Sequence, residues 1–491
     1  MKKILYRFSM GLLAIMTFSG CDSFLDVNPA GKVTQDKIFE DIQGYRDAMY
    51  GIYASMAQSV LYGENLSFGF VEQLGQLFYP SHSLGDYYQK VQKIQEYNYA
   101  DQSVQPTVEG IWTNSYKCIS YINNVLGNIA SVNLNADPDY RLIKGESYAL
   151  RAFLHFDILR LYCDDIRRNP TAGGIPYAYT FDLQNKQLFT LKETYENILE
   201  DLNTAQYLLA NDTLLSTGSN SSPYRNNRYT QVNLYAVYGI KARVFRFKGD
   251  LDSAGIYAEK IISSSQLHLI NSHNDLKKAK KYPGNQELIW GLFNNKLYTP
   301  LYKMFIAKRQ ATGSDTRLEV RKDYEKIYKE TPLGPDDHDY RYDEFFDYVV
   351  DSTNISFSRF LEEEASNSSA QEQAIKGICL LRLPEMYYIA AEALYDSNPT
   401  QAIAYFNAVR NSRGLMDMQA NRLDSKEKFR QELMKERLKE FWGEGQTFFE
   451  HKYQYEGFTS PSKVNVTIAP SNAIFILPWP EDEKEFGNTN K

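Results

Sequence analysis

The chain has 491 residues, of which 43% are apolar, and a formal net charge of −7 at pH 7. This length allows one large domain or two to three ordinary ones, and the apolar content is sufficient for a buried core. The acidic balance argues against a nucleic-acid-binding protein, which normally carries a basic face. The 38 tyrosines and 27 phenylalanines are unusual. Because a tyrosine ring suits both packed cores and wet recognition surfaces, this composition permits a binding protein without proving one.

The N-terminus has the composition of a secretory signal. Three basic residues precede an apolar run, Met10 to Phe18, which is too short to cross a bilayer of ~30 Å. Two small residues then precede Cys21, a pattern typical of bacterial lipoproteins, in which this cysteine is acylated and becomes the first residue of the mature chain. We predict a signal peptide over 1–20, lipidation of Cys21 and a tether over 21–40. A plain secretory signal with a coincidental cysteine is the alternative.

The remaining cysteines are Cys118, Cys163 and Cys379, and none lies in a Cys-x-x-Cys spacing. We interpret them as buried free thiols that pack as small apolar groups. A single disulfide is the alternative in an oxidising compartment.

Helical periodicity is clearest in two segments. Residues 144–163 predict an amphipathic helix, because apolar side chains recur at steps of three and four: Ala149, Ala152, Phe153, Phe156, Leu159 and Cys163. Residues 233–262 predict a helix hairpin that turns at Gly249-Asp250. The inner face of its second helix consists of Ala254, Tyr257, Ala258 and Ile261.

A repeated spacing relates the predicted helices. First helices carry an aromatic residue, a smaller residue four positions later and a larger one after three more, as in Tyr238-Ala242-Phe245 and Tyr387-Ala391-Leu394. Second helices repeat steps of four and three, as in Ala254-Ala258-Ile261, Ala402-Phe406-Val409 and Ile198-Leu202-Ala205. This spacing is typical of tetratricopeptide-type hairpins, and it predicts three or four stacked units. A generic helical domain with coincidental spacing is the alternative.

Long segments without a helical pattern separate these units: 62–106, 164–190, 211–229 and 265–380. Loops of this length in a compact protein are usually functional or disordered, and their aromatic content argues against disorder. We therefore expect recognition to lie in these insertions.

A sugar ring presents C–H groups on its faces and hydroxyls at its rim, so its binding site needs aromatic platforms flanked by amides and carboxylates. Two insertions offer such groups in predicted loops. The candidate ligand-binding residues are Tyr79, Asp86, Tyr87 and Tyr88 in the first, and Asn294, Asn295, Tyr298 and Tyr302 in the second. Packing is the alternative role for each tyrosine. Trp290 alternates with two leucines, which predicts a position in a strand or core instead.

We predict no catalytic residues, no metal site and no cofactor. Glu436, Glu440 and Glu444 recur every four residues, but such a series on a helix is typical of a solvated or salt-bridged face rather than of a glycosidase pair. The acidic stretch 336–348 is the best candidate for calcium, yet it lacks the spacing of an EF-hand loop. An acidic surface loop is the preferred interpretation of that stretch.

Ordered motifs along the chain resemble the SusD/RagB family of surface lipoproteins from Bacteroidetes nutrient-uptake systems. The family's lipidated cysteine and Phe-Leu-Asp-x-x-Pro stretch correspond to Cys21 and residues 24–29. Residues 150–177 are similar to its Arg-Ala-Phe helix, with Cys163 in place of the usual glycine. Its Glu-Arg-x-x-Glu-x-x-x-Glu-Gly signature matches Glu436, Arg437, Glu440, Glu444, Gly445 and Glu450, and residues 476–488 resemble its Leu-Pro-x-Pro closing segment.

The resemblance implies a mostly α fold: a superhelix of about four tetratricopeptide-like hairpins, with long irregular insertions that form the ligand-binding region. It also implies a partner, a SusC-like TonB-dependent outer-membrane transporter, and attachment to the outer membrane through Cys21. We expect one domain over 41–491. Its hairpin units are expected around 107–163, 191–264 and 381–450, and its binding regions around 62–106 and 265–380.

The combined expectation is a non-catalytic lipoprotein at the cell exterior that captures an oligosaccharide for the transporter. Peptide capture by the same architecture and a scaffold of helical repeats that binds only protein are alternatives. A lipoprotein hydrolase is a third, which the absence of an active-site pattern disfavours. Asp22 would signal inner-membrane retention under the enterobacterial sorting rule, whereas the family resemblance predicts the outer membrane.

Overall fold

The computed structural model describes residues 35–80, 85–215, 222–279, 286–306, 318–329, 338–348, 355–360, 377–460 and 466–487. The helices of ten or more residues in these ranges are α1 (Ile42–Met56), α2 (Asp86–Gln95), α3 (Gln105–Ile129), α4 (Pro138–Tyr162), α5 (Leu191–Leu208), α6 (Leu234–Lys248), α7 (Leu251–Ile262), α8 (Leu383–Leu394), α9 (Pro399–Ser412) and α10 (Lys426–Glu440). Shorter α-helices span Gln35–Ile38, Phe70–Leu74, His273–Ala279, Tyr298–Leu301, Tyr324–Tyr328, Tyr340–Phe345, Thr447–Gln454, Asn472–Phe475 and Glu481–Phe486.

Helix packing follows the order of the chain. Each long helix from α3 to α9 packs against the next, and α1 packs against both α3 and α4. The result is a stack of antiparallel helix pairs closed at one end by α10, which packs on α8. The predicted mostly α fold of stacked helix hairpins is therefore confirmed.

The hairpin of α6 and α7 shows why these residues form this unit. Asn233 begins α6 by accepting a hydrogen bond from the Ala236 N–H with its side-chain oxygen, at 2.9 Å. Gly249 ends the helix at φ 89°, a left-handed conformation that favours glycine. Asp250 then caps α7 through the Ser253 N–H, at 3.1 Å. The predicted turn at Gly249-Asp250 is confirmed.

The repeated positions lie on the inner faces of the helices. The small residues Ala242 and Ala391 of the first helices are fully buried, as are all members of the second-helix sets on α5, α7 and α9. Their aromatic partners Tyr238 and Tyr387 are half-buried at the edges of the pairs. Small side chains at these positions allow the paired helices to approach closely.

Helix α4 differs from its predicted amphipathic form, because its residues from Ala149 to Tyr162 are buried on every side. The helix lies between α3 and α5, with α1 and the C-terminal segment covering the remaining faces. Its polar side chains therefore form hydrogen bonds with other buried groups of the protein. Arg151 forms two hydrogen bonds of 2.7 Å with Asp201, and burial lowers the pKa of His155 to about 3.

The insertions form short strands and additional helices. Among the described residues, five antiparallel two-stranded ladders pair β1 (Phe78–Pro80) with β5 (Leu318–Val320), β2 (Gly173–Pro176) with β3 (Leu188–Thr190), β4 (Leu288–Phe293) with β8 (Gly377–Arg382), β6 (Phe346–Tyr348) with β7 (Ile355–Phe357), and β9 (Phe458–Thr459) with β10 (Thr467–Ile468). Trp290 is buried in β4, as its alternating neighbours predict. Because β8 leads directly into α8, this ladder attaches the largest insertion to the helix stack.

The three cysteines within the described ranges, Cys118, Cys163 and Cys379, are free thiols. Burial raises the pKa of each thiol to about 12, so all three are protonated at neutral pH. The interpretation of buried free thiols is confirmed for Cys118 and Cys163, whereas Cys379 is a free thiol that is only partly buried by its neighbours. Cys21 lies outside the described residues.

A buried ion network joins the helix stack to the insertions. Glu440, at the end of α10, accepts hydrogen bonds from Arg382 of β8 at 2.8 Å and from Arg413 at 2.8 and 3.0 Å. Arg341, from the short helix Tyr340–Phe345, reaches both Glu440 and Glu436. We call this set the glutamate network; its members are Glu287, Asp339, Arg341, Arg359, Arg382, Arg410, Arg413, Glu436, Lys439, Glu440 and Glu444.

We expect Glu440→Gln to lower the free energy of unfolding by about 3–5 kcal/mol, because buried arginines lose the carboxylate that they share. Glu427→Gln is the matched control. Glu427 is exposed on the same helix and pairs with Arg430, so its loss should leave the free energy of unfolding nearly unchanged. Urea unfolding followed by circular dichroism measures both, and equal effects would contradict the structural role of the network.

Candidate functional site

The first candidate segment begins in β1, where the strand alternation separates Phe78 from Tyr79. Phe78 is buried, whereas Tyr79 is partly exposed opposite Glu319 of β5. The Lys322 ammonium lies 5.9 Å from the centre of the Tyr79 ring. Tyr79 therefore presents part of a ring at the surface beside a positive charge.

The sequence predicts a loop for Asp86, Tyr87 and Tyr88. These residues lie instead in the first turn of α2. Gly85 precedes the helix, and Val91 and Ile94 anchor it to the core. The amphipathic spacing of α2 extends over only 10 residues, which is too short for periodicity to predict the helix. Helix α2 is also tied to β1, since the Gln95 amide donates a hydrogen bond to the Phe78 carbonyl.

The α2 residues differ in their availability to a ligand. Asp86 is exposed at the helix N-terminus, and Tyr88 is half-exposed with its hydroxyl accepting a hydrogen bond from Gln92 at 2.9 Å. The Tyr87 hydroxyl is buried, and burial together with Glu64 raises its pKa above the ordinary value. We therefore assign Tyr87 to packing and keep Tyr79, Asp86 and Tyr88 as candidates.

The second candidate segment follows β4. The Asn294 side chain bonds the protein itself: its amide donates to the Ala57 carbonyl at the end of α1, and its oxygen accepts from the Lys296 N–H, both at 2.8 Å. Asn295 is exposed. Phe293, which the sequence analysis did not select, is 56% exposed at the end of β4. The sequence signal for Phe293 is its position as a large aromatic residue directly before two asparagines.

Tyr298 and Tyr302 form a pair one helical turn apart. Their ring centres are 5.5 Å apart at an interplanar angle of 35°, and Tyr302 is 38% exposed. Leu297, Leu301 and Phe305 anchor the opposite side of the turn in the core. The geometry gives a pair of aromatic rings at the surface on a well-packed base, which is suited to the apolar face of a sugar.

An aromatic cluster brings the two candidate segments together. Phe78 of the first segment lies 4.9 Å from Phe305 of the second, measured between ring centres, and both contact Phe357 of β7 at 5.3 Å. We define the aromatic cluster as Phe68, Phe78, Phe305, Phe346, Phe357, Phe360 and Trp442. The surface residues of both segments therefore lie above the same aromatic cluster.

Glu436 and Glu440 of α10 lie behind this aromatic cluster and are salt-bridged, as predicted, but buried rather than solvated. Glu444 follows the end of α10, is partly buried and pairs with Arg359 and Arg382. Burial alone would raise the pKa of Glu440, yet Arg413, Arg382 and Arg341 hold that pKa well below its usual range. Lys439, Arg341 and Arg410 lower the pKa of Glu436 in the same way. A glycosidase acid requires the opposite shift and access to substrate. These glutamates therefore serve structure.

The acidic stretch 336–348 was the candidate for a metal site, and its described part is not a plain surface loop. Asp339 is buried and bonds Arg341 at 2.7 and 2.8 Å, while His338 pairs with Asp343. Asp336 and Asp337 lie outside the described residues. Within the described part of the chain, no group of three or more metal-ligating side chains is arranged to hold an ion.

Two sequence profiles of one family match the chain. The profile described as "Starch-binding associating with outer membrane" matches residues 23–245, and the profile described as "SusD family" matches residues 295–452. The chain belongs to the SusD/RagB family. A curated relative, a SusD-like protein of Formosa agariphila, is 22% identical over 289 residues, or 57% of this chain. The match spans 50% of that relative's length.

Solved structures of SusD-type proteins share the fold. A SusD-like carbohydrate-binding protein of Bacteroides vulgatus superposes with a TM-score of 0.70 at 19% identity, covering 90% of this chain and 96% of the other. Surface glycan-binding protein A of Bacteroides fluxus superposes with a TM-score of 0.68 at 16% identity, covering 94% and 98%. At these identities the matches establish the fold.

None of the helices in the described ranges combines the length and apolarity needed to span a bilayer.

Gly443 links the glutamate network to the aromatic cluster. It follows Trp442 with φ 82°, and a Cβ atom there would lie 2.6 Å from the Phe357 ring. Only glycine therefore fits this turn without displacing Phe357.

We expect Gly443→Ala to lower the free energy of unfolding by about 2–4 kcal/mol, since left-handed strain adds to overpacking against Phe357. Gly127→Ala is the matched control: Gly127 lies on α3 with open space where a Cβ atom would be added, and this variant should gain up to ~1 kcal/mol from helix propensity. Chemical unfolding measures both. A Gly443 variant as stable as the control variant would contradict the proposed fit.

Proposed function

We propose that the protein is a non-catalytic, cell-surface lipoprotein that captures an oligosaccharide and passes it to a SusC-like TonB-dependent transporter. Its lipid anchor is Cys21, and its ligand site is the surface above the aromatic cluster. The observation that carries the proposal is the Tyr298–Tyr302 pair, held at the surface by buried residues on the opposite side of the turn. Tyr79, Asp86, Tyr88, Phe293 and Asn295 are the proposed surrounding contacts.

The chemistry of these residues supports a sugar ligand. Tyrosine rings offer flat apolar surfaces to sugar C–H groups, while Asp86 and Asn295 supply polar atoms for hydroxyl groups. Family membership supports the same class of ligand, since one of the two matching profiles is described as starch-binding and one structural relative is a carbohydrate-binding protein. Peptide capture is the competing hypothesis, and a binding experiment must distinguish it from glycan capture.

The binding free energy available to such a site suits a protein that passes its ligand on to a transporter. Two or three aromatic contacts at ~0.5–1.5 kcal/mol each contribute only a few kcal/mol beyond area burial. Millimolar binding corresponds to ~4 kcal/mol and micromolar binding to ~8 kcal/mol. A site of this kind holds its ligand weakly enough to release it to a transporter.

We expect Tyr302→Ala to weaken glycan binding roughly two- to tenfold, and the double variant Tyr298→Ala/Tyr302→Ala to weaken it further, because each loses a stacking surface. Tyr207→Ala, at an exposed tyrosine on α5, should bind like the wild type. Isothermal titration calorimetry with a panel of oligosaccharides, beginning with α-glucans, and a mixed peptide library measures the effect.

Binding of peptides but no glycan would replace the oligosaccharide with a peptide ligand. Binding of neither by the wild type would contradict capture altogether. Glycan turnover by the purified protein would contradict the non-catalytic role.

We expect Cys21→Ala to release the protein from the membrane fraction, because a single-cysteine lipid anchor is then lost. Cys379→Ala also removes one thiol and should leave the protein membrane-bound. Fractionation measures release, and labelling of intact cells with a membrane-impermeant reagent measures surface exposure. A Cys21 variant that stays with the membrane would contradict the anchor, and a wild type protected from the reagent would contradict the exterior location.

A further inference from the structure

A groove between α1 and α3 lies apart from the proposed ligand site. Its lining residues come from these two helices, from the short helix Gln35–Ile38 and from the turn that follows it, and from neither of the two candidate ligand segments. The groove has a volume of about 640 Å³, and small-molecule sites in proteins commonly enclose roughly 300–1,000 Å³. It is therefore large enough to hold part of an oligosaccharide.

Small side chains on α1 create the groove. Ala48, Gly51 and Ser55 lie on one face of this helix at steps of three and four, and all three line the groove. A Cβ atom added at Gly51 would meet no side chain and no backbone of another element within 4 Å. Ile52 and Val125 are buried and form an apolar floor. The fold therefore leaves this space open, although α1 packs directly on α3.

The walls of the groove carry the groups that a sugar requires. Tyr121 of α3, which is 40% exposed, lines the groove. Gln43 and Asp47 line it from α1, one helical turn apart, and the Gln43 amide donates a hydrogen bond to an Asp47 oxygen at 2.8 Å. Asn124 adds a second amide, one turn from Tyr121. A concave site therefore presents an aromatic ring together with amides and a carboxylate, the combination that suits the faces and the rim of a sugar ring.

The charge of the groove favours an uncharged ligand. Among the described residues that line it, the charged ones are Lys37, Asp41 and Asp47. Asp41 is engaged in the fold, since its side chain caps α1 by accepting a hydrogen bond from the Gly44 N–H at 3.0 Å. One ammonium and two carboxylates give no cationic surface, which disfavours an acidic polysaccharide or an anionic lipid headgroup. The two long walls are helices whose backbone groups are already bonded, so they offer a peptide no strand edge for pairing.

We propose that the groove between α1 and α3 is a second carbohydrate-binding site, which takes an uncharged sugar. Tyr121 supplies the platform, and Gln43 and Asp47 supply hydrogen-bonding groups. The space beside Gly51 accommodates the sugar ring. The inference rests on the proposed function for its class of ligand, while its residues are separate from the Tyr298–Tyr302 surface. When one polysaccharide chain reaches both sites, the protein retains it more firmly than either site alone would, because the second contact forms at a high effective concentration.

The experiment compares full-chain variants by calorimetry with the same oligosaccharide panel. Gly51→Leu should remove binding in the groove, because the added side chain enters the space that the sugar would occupy. Tyr121→Ala should weaken that binding roughly two- to tenfold, because it loses the stacking surface. Gly127→Leu and Tyr207→Ala are the matched controls and should bind like the wild type. Gly127 lies in equally open space on α3 but does not line the groove, and Tyr207 is exposed on α5.

The double variant Tyr298→Ala/Tyr302→Ala isolates the groove. It should retain a binding event that Gly51→Leu removes, whereas Gly51→Leu alone should retain the event that depends on the tyrosine pair. Retention in gels that contain the corresponding polysaccharide should fall with either change and most with both. Because Gly51 has open space beside it, Gly51→Leu should fold, which circular dichroism checks. Tyr121→Ala tests the groove independently of that substitution.

Three results would overturn the groove as a sugar site while leaving capture intact. The first is glycan binding by Gly51→Leu and Tyr121→Ala that equals the wild type. The second is loss of all glycan binding in Tyr298→Ala/Tyr302→Ala. The third is peptide binding that Gly51→Leu abolishes while glycan binding is unchanged. Conversely, glycan binding that Gly51→Leu abolishes and the double variant leaves unchanged would support the groove and overturn the Tyr298–Tyr302 surface. A wild type that binds no glycan would overturn both.

Discussion

The structure depends on the pairing of buried carboxylates at the end of α10 with arginines from distant segments. Glu440 is shared by Arg341, Arg382 and Arg413, which come from an insertion, from β8 and from the residues after α9. Each buried charge is costly alone, so the network is stable only when all of these segments are assembled. Assembly of the helix stack and ordering of the insertions are thus coupled through one set of ion pairs.

The coupling reaches the candidate ligand site through two residues that follow Glu440. Trp442 enters the aromatic cluster, and Gly443 allows the chain to turn tightly against Phe357. The cluster in turn supports β1 and the Tyr298–Tyr302 turn. The charged groups behind the aromatic cluster pair with one another inside the fold, whereas the surface above it presents the Tyr298–Tyr302 rings, with Asp86 and Lys322 at the first segment.

Local patterns predicted the helix stack well. The turn at Gly249-Asp250 and the inner faces of α7 and α9 depend on spacing within one helix or one hairpin, which periodicity reports directly. The predicted amphipathic character of α4 was wrong, because its polar residues form buried hydrogen bonds with distant partners. Arg151, for example, bonds Asp201, which lies 50 residues away in the chain. Likewise, the prediction of a loop for Asp86, Tyr87 and Tyr88 failed because α2 is a short helix anchored by only two buried residues.

The sequence by itself determined the family, the helix-hairpin architecture and the choice of two insertions as candidate ligand segments, because these follow from ordered motifs and local spacing. Only the tertiary structure decided which candidate side chains remain available. Tyr87 is assigned to packing and Asn294 is engaged by Ala57, while the Tyr298–Tyr302 pair stays at the surface. Burial and hydrogen bonding depend on residues far away in the chain, and no local pattern records them.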